Sequence, residues 1–138
     1  MNSFRVLMFV LPVVLLSSCF KDKKTLNNLK GEWNIENWYE AGVLRNISGR
    51  MEFNDCKLRK DDCDGWLTYN ENWPIEEFLA ARFEYSFDTN DKTMELKVFE
   101  NEATLSYDAD FELDEEELIL EYFDEENNFI RIELRKNE

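Results

Sequence analysis

Residues 82–88 read Arg-Phe-Glu-Tyr-Ser-Phe-Asp. Phe83, Tyr85 and Phe87 alternate with Arg82, Glu84, Ser86 and Asp88. A period of two is the repeat of a β-strand, whose successive side chains point to opposite faces. One face here is wholly aromatic and the other wholly polar. Such a strand must bury its rings while its other face stays in water, which is the habit of antiparallel sheets.

The same period extends outward in both directions. Downstream, Met94, Leu96 and Val98 alternate with Glu95 and Lys97, and a long run from 103 to 113 sets Leu105, Tyr107, Ala109 and Phe111 against Thr104, Ser106, Asp108 and Asp110. Leu118, Leu120 and Tyr122 follow, then Ile130, Ile132 and Leu134 against Arg131, Glu133 and Arg135. Upstream, strands are expected over 32–41 (Trp33, Ile35), 50–56 (Met51, Phe53) and 65–70 (Leu67, Tyr69). That makes eight. Most connections are short and rich in Asp, Asn and Glu, so consecutive strands are antiparallel neighbours. The fold class expected is all-β: an antiparallel up-and-down barrel of about eight strands, because closure removes the exposed edges.

Residues 72–81 break the pattern. Asn72 is a good helix cap, Pro74 suits a first turn, and Glu76 and Glu77 favour the positive end of a helix. A short helix is expected there, in the connection between the third and fourth strands.

On this register the inward set includes Phe53, Tyr69, Phe83, Tyr85, Phe87, Tyr107, Phe111 and Tyr122. An eight-stranded barrel is just wide enough to be filled by side chains or to hold one small ligand. Buried tyrosine hydroxyls need partners. That requirement tips the reading toward a cavity lined by these residues, with a filled barrel as the alternative.

The first eighteen residues are of another kind. Arg5 precedes an apolar run from Val6 to Leu16, and Ser17 and Ser18 close it. This is the layout of a secretory signal, too short for a stable membrane span of about 20 residues. Leu16-Ser17-Ser18-Cys19 resembles the lipobox of bacterial lipoproteins. The resemblance implies cleavage before Cys19, lipid on its thiol and anchoring in the cell envelope, with the outer membrane the expected address. Residues 1–18 are then a signal peptide, 19–28 a polar, aperiodic tether, and 29–138 the barrel domain. Phe20-Lys21-Asp22-Lys23-Lys24 partly resembles the export signal of surface lipoproteins in some Gram-negative bacteria. Loss of Arg5 takes the side-chain balance from −15 to −16.

In an oxidising compartment the remaining thiols, Cys56 and Cys63, are expected to form a disulfide. The alternative is a metal pair, poorly served by two thiols in a chain with no histidine.

Leu29-Lys30-Gly31-Glu32-Trp33 resembles the Gly-x-Trp opening of the lipocalins and of lipocalin-like bacterial lipoproteins. The pair Cys56 and Cys63 ahead of Gly65 is similar to a hairpin in those lipoproteins. The resemblance implies that Trp33 plugs one barrel end and that a late arginine packs on its ring, with Arg135 the best match and Arg131 next. The chain lacks the family's Thr-Asp-Tyr turn and long final helix.

Composition excludes several functions. A charge of −15 argues against nucleic acid as a partner and against electrostatic docking on anionic lipid. With no histidine, Ser48, Ser86 and Ser106 have no triad partner. Asp61, Asp62 and Asp64 crowd a turn without the full pattern of a calcium loop. The acidic runs at 114–117 and 124–126 read as solvated hairpin tips. No enzyme, metal or cofactor is expected. The expected function is a membrane-anchored protein that binds a small apolar or amphipathic ligand in its barrel. The alternative is a non-catalytic envelope protein acting through protein–protein contacts.

Overall fold

A computed structural model describes residues 21–57, 63–70 and 79–138. Helix α1 spans residues 21–29. Nine strands follow: β1 (Gly31–Glu40), β2 (Val43–Arg45), β3 (Ser48–Phe53), β4 (Cys63–Asn70), β5 (Leu79–Asp88), β6 (Thr93–Glu100), β7 (Ala103–Leu113), β8 (Glu117–Phe123) and β9 (Phe129–Lys136). Every pairing is antiparallel between chain neighbours, except that β1 bridges to both β3 and β9. The β1–β9 ladder closes an eight-stranded barrel of β1 and β3–β9. The three-residue β2 pairs only with the last residues of β1.

The alternation read from the sequence sets the register. Phe83 pairs with Val98, Tyr85 with Leu96 and Phe87 with Met94, and all six face inward. Three differences from the expected elements matter. β5 begins at Leu79, so residues 79–81 of the expected helix are strand, with Tyr69 opposite Leu79 and Leu67 opposite Ala81. The rest of that helix, and the Asp61 and Asp62 turn, lie outside the described residues. The second difference is β2, which no alternating run announces.

The third difference is α1, which replaces the expected aperiodic tether. Thr25, Leu26 and Leu29 are buried, at the i, i+1 and i+4 positions of one helix face. Asp22 Oδ1 accepts from Thr89 Oγ1 at 2.6 Å, tying α1 to the β5–β6 turn. Gly31, at φ +115°, makes the change of direction from helix to strand, a conformation that residues with a Cβ rarely adopt.

Packing divides the barrel into two ends. At the α1 end Trp33 is fully buried, and its Nε1 donates to the Leu29 carbonyl at 2.8 Å. Phe53, Phe83 and Tyr85 meet edge-to-face or tilted, with ring centres 5.2–6.0 Å apart. Gly65 lies against this cluster so closely that a Cβ would overlap the Glu52 carbonyl and the Phe83 ring. Phe87 packs on Phe111 at 6.5 Å. Cys56 and Cys63 form the expected disulfide, Cα atoms 5.4 Å apart, where β4 begins. Closing so short a loop contributes about 2.5 kcal/mol on the chain-entropy account. This end is filled.

Candidate functional site: the open end of the barrel

At the opposite end the barrel is not filled. A cavity of about 250 Å³ opens between the ends of β1, β4, β6 and β8, the space of about eight liquid waters. Its floor is apolar and buried: Met51, Ala81, Leu96, Leu120 and Ile132. Its wall carries the aromatic rings of Trp38, Tyr69, Tyr107 and Tyr122. Its rim carries the carboxylates Glu40, Glu100, Asp124 and Glu125. Among the described residues lining it, Arg45 is the one cation, and it is paired with Glu40 at 3.3 Å.

The local backbone explains how these groups arrive. β1 would present Trp33, Ile35, Asn37 and Tyr39 inward if it kept a strict period of two. A bulge between Ile35 and Asn37 resets the parity. Trp38 and Glu40 then line the cavity, while Asn37 points outward and donates to Glu133 at 2.8 Å. Tyr69, Tyr107 and Tyr122 come from β4, β7 and β8 at inward positions. Tyr69 donates to Glu100 Oε1 at 3.1 Å, and Tyr107 to Glu125 Oε1 at 2.5 Å. The Tyr107 and Tyr122 rings are 4.8 Å apart.

The electrostatics follow from this crowding. Burial pushes the Tyr107 phenol above its ordinary value, and the hydrogen bond and charge of Glu125 push the same way. Burial also raises Tyr122, with Asp124 and Glu125 adding to it. The mouth is therefore a region of negative potential around hydroxyls that keep their protons.

Of the eight rings expected to line a cavity, the structure brings three to it: Tyr69, Tyr107 and Tyr122. Phe53, Phe83, Tyr85, Phe87 and Phe111 belong to the filled end or its flank. Tyr85 is buried there, and its phenol is raised to about 12 by burial first and by Asp64 and Asp55 after that. Trp33 closes the barrel, as expected of it. The cation over its ring is Lys136, with Nζ 5.0 Å from the ring centre, and not Arg135. The reason is parity. Ile130, Ile132, Leu134 and Lys136 point inward, so Arg131 and Arg135 point out. Arg135 pairs with Glu36 and Glu117 on the outer face, and Arg131 with Glu121 and Glu133. Lys136 also donates to the Asn28 carbonyl at 2.5 Å, fixing α1 to the end of β9. Cys19 lies outside the described residues.

A second hollow, about 580 Å³, runs between α1 and β7–β8. Lys21, Lys24 and Lys92 face Glu112, Asp114 and Glu117 across it. It is larger but has charged walls of both signs and no enclosed apolar floor, so the barrel mouth is the better ligand site. Among the described residues no three His, Cys, Asp or Glu side chains are grouped to hold a metal ion. Asp64 instead accepts from Asn54 at 3.0 Å and pairs with Arg82 at 3.5 Å.

No protein-family profile and no curated protein matches the chain. Among solved structures it is similar to a redesigned β-barrel, with a TM-score of 0.59 at 14% identity, over 82% of this chain and 95% of that one. A likeness at that identity is one of fold.

Proposed function

We propose that this chain is an exported lipoprotein, anchored through lipid on Cys19, whose lipocalin-like barrel binds a small amphipathic ligand in its open mouth without chemical turnover. The observation that carries the reading is the cavity of about 250 Å³ at the end away from Trp33, apolar at its floor and polar at its rim. Small-molecule sites have this construction, a mostly apolar concavity with a few placed polar groups. The volume is a little under the usual range of roughly 300–1,000 Å³, which argues for a compact ligand.

On this reading the anchor belongs to the α1 end of the barrel, opposite the mouth. Cys19 is two residues ahead of Lys21, and two residues span at most about 7 Å. On this reading α1 and the filled end sit against the membrane, and the mouth faces away from it. The ligand then exchanges with the surrounding medium or with a partner, and not with the lipid of the anchoring leaflet.

Two measurements test the reading. Cys19→Ser should abolish acyl labelling and membrane fractionation; retention in the membrane fraction would refute the anchor. A fluorescent apolar probe should bind the wild-type chain and be displaced by lipid extract, and a bulky Ala81→Phe floor variant should not bind it. Equal binding by the two would refute the cavity.

One observation favours the alternative of a protein–protein role. Apolar side chains stand exposed around the mouth: Val43 and Leu44 on β2, Leu79 at the start of β5, and Phe123, whose ring is tilted against that of Phe129 with centres 5.5 Å apart. Exposed apolar groups ringed by charge mark contact surfaces. Ligand transfer to a docked partner would use the same rim.

A further inference from the structure

We infer that the ligand of the barrel mouth is a small organic cation with an apolar tail, and that the site discriminates against the fatty acids an apolar cavity alone would accept. The inference rests on the binding reading above and specifies its chemistry.

Two features of the site, and the field that follows from the first, point the same way. The first is the rim. Glu40, Glu100, Asp124 and Glu125 converge on the opening, and Arg45 neutralises only Glu40. A ligand carboxylate would enter beside three carboxylates with which no cation among the described residues is paired. An ammonium would find them at the depth where its tail reaches the apolar floor.

The second is the wall. Trp38, Tyr69, Tyr107 and Tyr122 present ring surface to the same space. The face of an aromatic ring is negative, and cages of such rings are a recognised way to hold quaternary ammonium groups. Two of these phenols donate to rim carboxylates, Tyr69 to Glu100 and Tyr107 to Glu125. Donation to an anion leaves more electron density on the ring.

The field follows from the rim. Burial holds the Tyr107 and Tyr122 protons in place, and the charges of Glu125 and Asp124 add to it. The same potential draws in any other positive charge. Over longer range, a chain of net charge −15 steers cations toward it and slows anions.

The floor fixes the other half of the ligand. Met51, Leu96, Leu120 and Ile132 offer no polar group to a buried end, so the tail is apolar and short.

The test is calorimetric titration of the full chain with octyltrimethylammonium, octanol and octanoate, three probes of one tail length and three charges. The expected order is ammonium, then alcohol, then carboxylate. The ammonium should lead the alcohol by about tenfold, the size a partly desolvated cation–π contact carries. The lead should shrink in a Glu100→Gln/Glu125→Gln variant and at high salt, while octanol binding should stay as it was. Glu100 ends β6 at the rim and Glu125 is on an exposed turn, so the variant is expected to fold, and an unchanged circular dichroism spectrum checks it. If octanol or octanoate binds as tightly as the ammonium, the cationic inference is overturned and the binding reading stands. If none of the three binds, both are overturned.

Discussion

The end of the barrel that holds Trp33 and the end that holds Tyr122 are made from the same strands and the same alternation, yet they are finished in different ways. At the first, Phe53, Phe83 and Tyr85 interlock, Gly65 leaves room for the Phe83 ring, and α1 covers the opening through Leu26 and Leu29. At the second, inward tyrosines lean on carboxylates around an unfilled space. The filled end satisfies packing; the open end leaves a hollow lined by four carboxylates.

This contrast is easiest to break by mutation. Phe83→Ala should destabilise the protein by about 3–5 kcal/mol in urea unfolding, the usual cost of deleting a large buried ring. Tyr107→Ala, at the half-open mouth, should cost well under half of that. Equal losses would mean that the mouth is packed as tightly as the base.

Alkaline titration gives the next largest effect. The folded chain holds the Tyr85 proton to about pH 12, against about 10 for an unfolded tyrosine. A raised folded value gives stability that is complete below pH 10 and lost as pH climbs toward 12. Each unit is worth about 1.4 kcal/mol, so Tyr85 alone should cost about 2–3 kcal/mol across that window. Tyr107 and Tyr122 shift in the same direction. Tyrosinate absorbance should rise together with unfolding, and Tyr85→Phe should flatten the fall. Tyrosinate formation without loss of structure would show that the phenols are not buried as described.

The filled end was largely legible in the sequence, and the site only partly. Residues 82–88 alone decide strand, face and register, and the other inward rings follow by counting in twos. The same count contained the correction at β9: with Ile130, Ile132 and Leu134 inside, Arg135 must be outside and Lys136 inside. The family resemblance pointed to arginine and overrode the parity. α1 had a weak signal in Leu26 and Leu29, three apart, hidden among lysines. What no local pattern revealed is the β1 bulge, since Asn37 and Tyr39 continue the alternation as acceptably as Trp38 and Glu40. Nor could Glu100, Asp124 and Glu125 be seen to converge. Glu100 ends β6 while Asp124 and Glu125 share the β8–β9 connection, and only closure of the barrel brings the two places to one rim.

The Lys136 correction yields a smaller effect that sharpens the same contrast. Burial lowers the affinity of its amine for a proton, but the Trp33 face and the Asn28 carbonyl stabilise the ammonium. Lys136→Met should cost about 0.5–2 kcal/mol, the range of a cation over an indole. Arg135→Met should cost less, because its pairs with Glu36 and Glu117 are exposed and screened. The reverse order in thermal unfolding would restore arginine as the residue that closes the barrel.

The smallest effect is expected at the rim, and its sign carries the argument. Glu125 accepts a hydrogen bond from Tyr107 on the surface and stands next to Asp124, and among the described residues no basic side chain pairs with it. Glu125→Gln keeps an acceptor for Tyr107 and removes one of the crowded charges. Exposed hydrogen bonds and surface charges each contribute only a few tenths of a kcal/mol, and substitutions there stay within about 0.5 kcal/mol. Because a like-charge repulsion is removed, the change should be neutral or slightly stabilising. A rim acid whose removal costs the fold nothing would be one that packing does not require. Urea unfolding of Glu125→Gln beside Glu36→Gln, an acid paired with Arg135 on the outer wall, makes the comparison. Loss of stability on the outer wall with none at the rim supports a rim shaped by its ligand. A rim variant that loses more than the outer-wall variant would mean that Glu125 holds the barrel together, and that the two ends are less different than their packing implies.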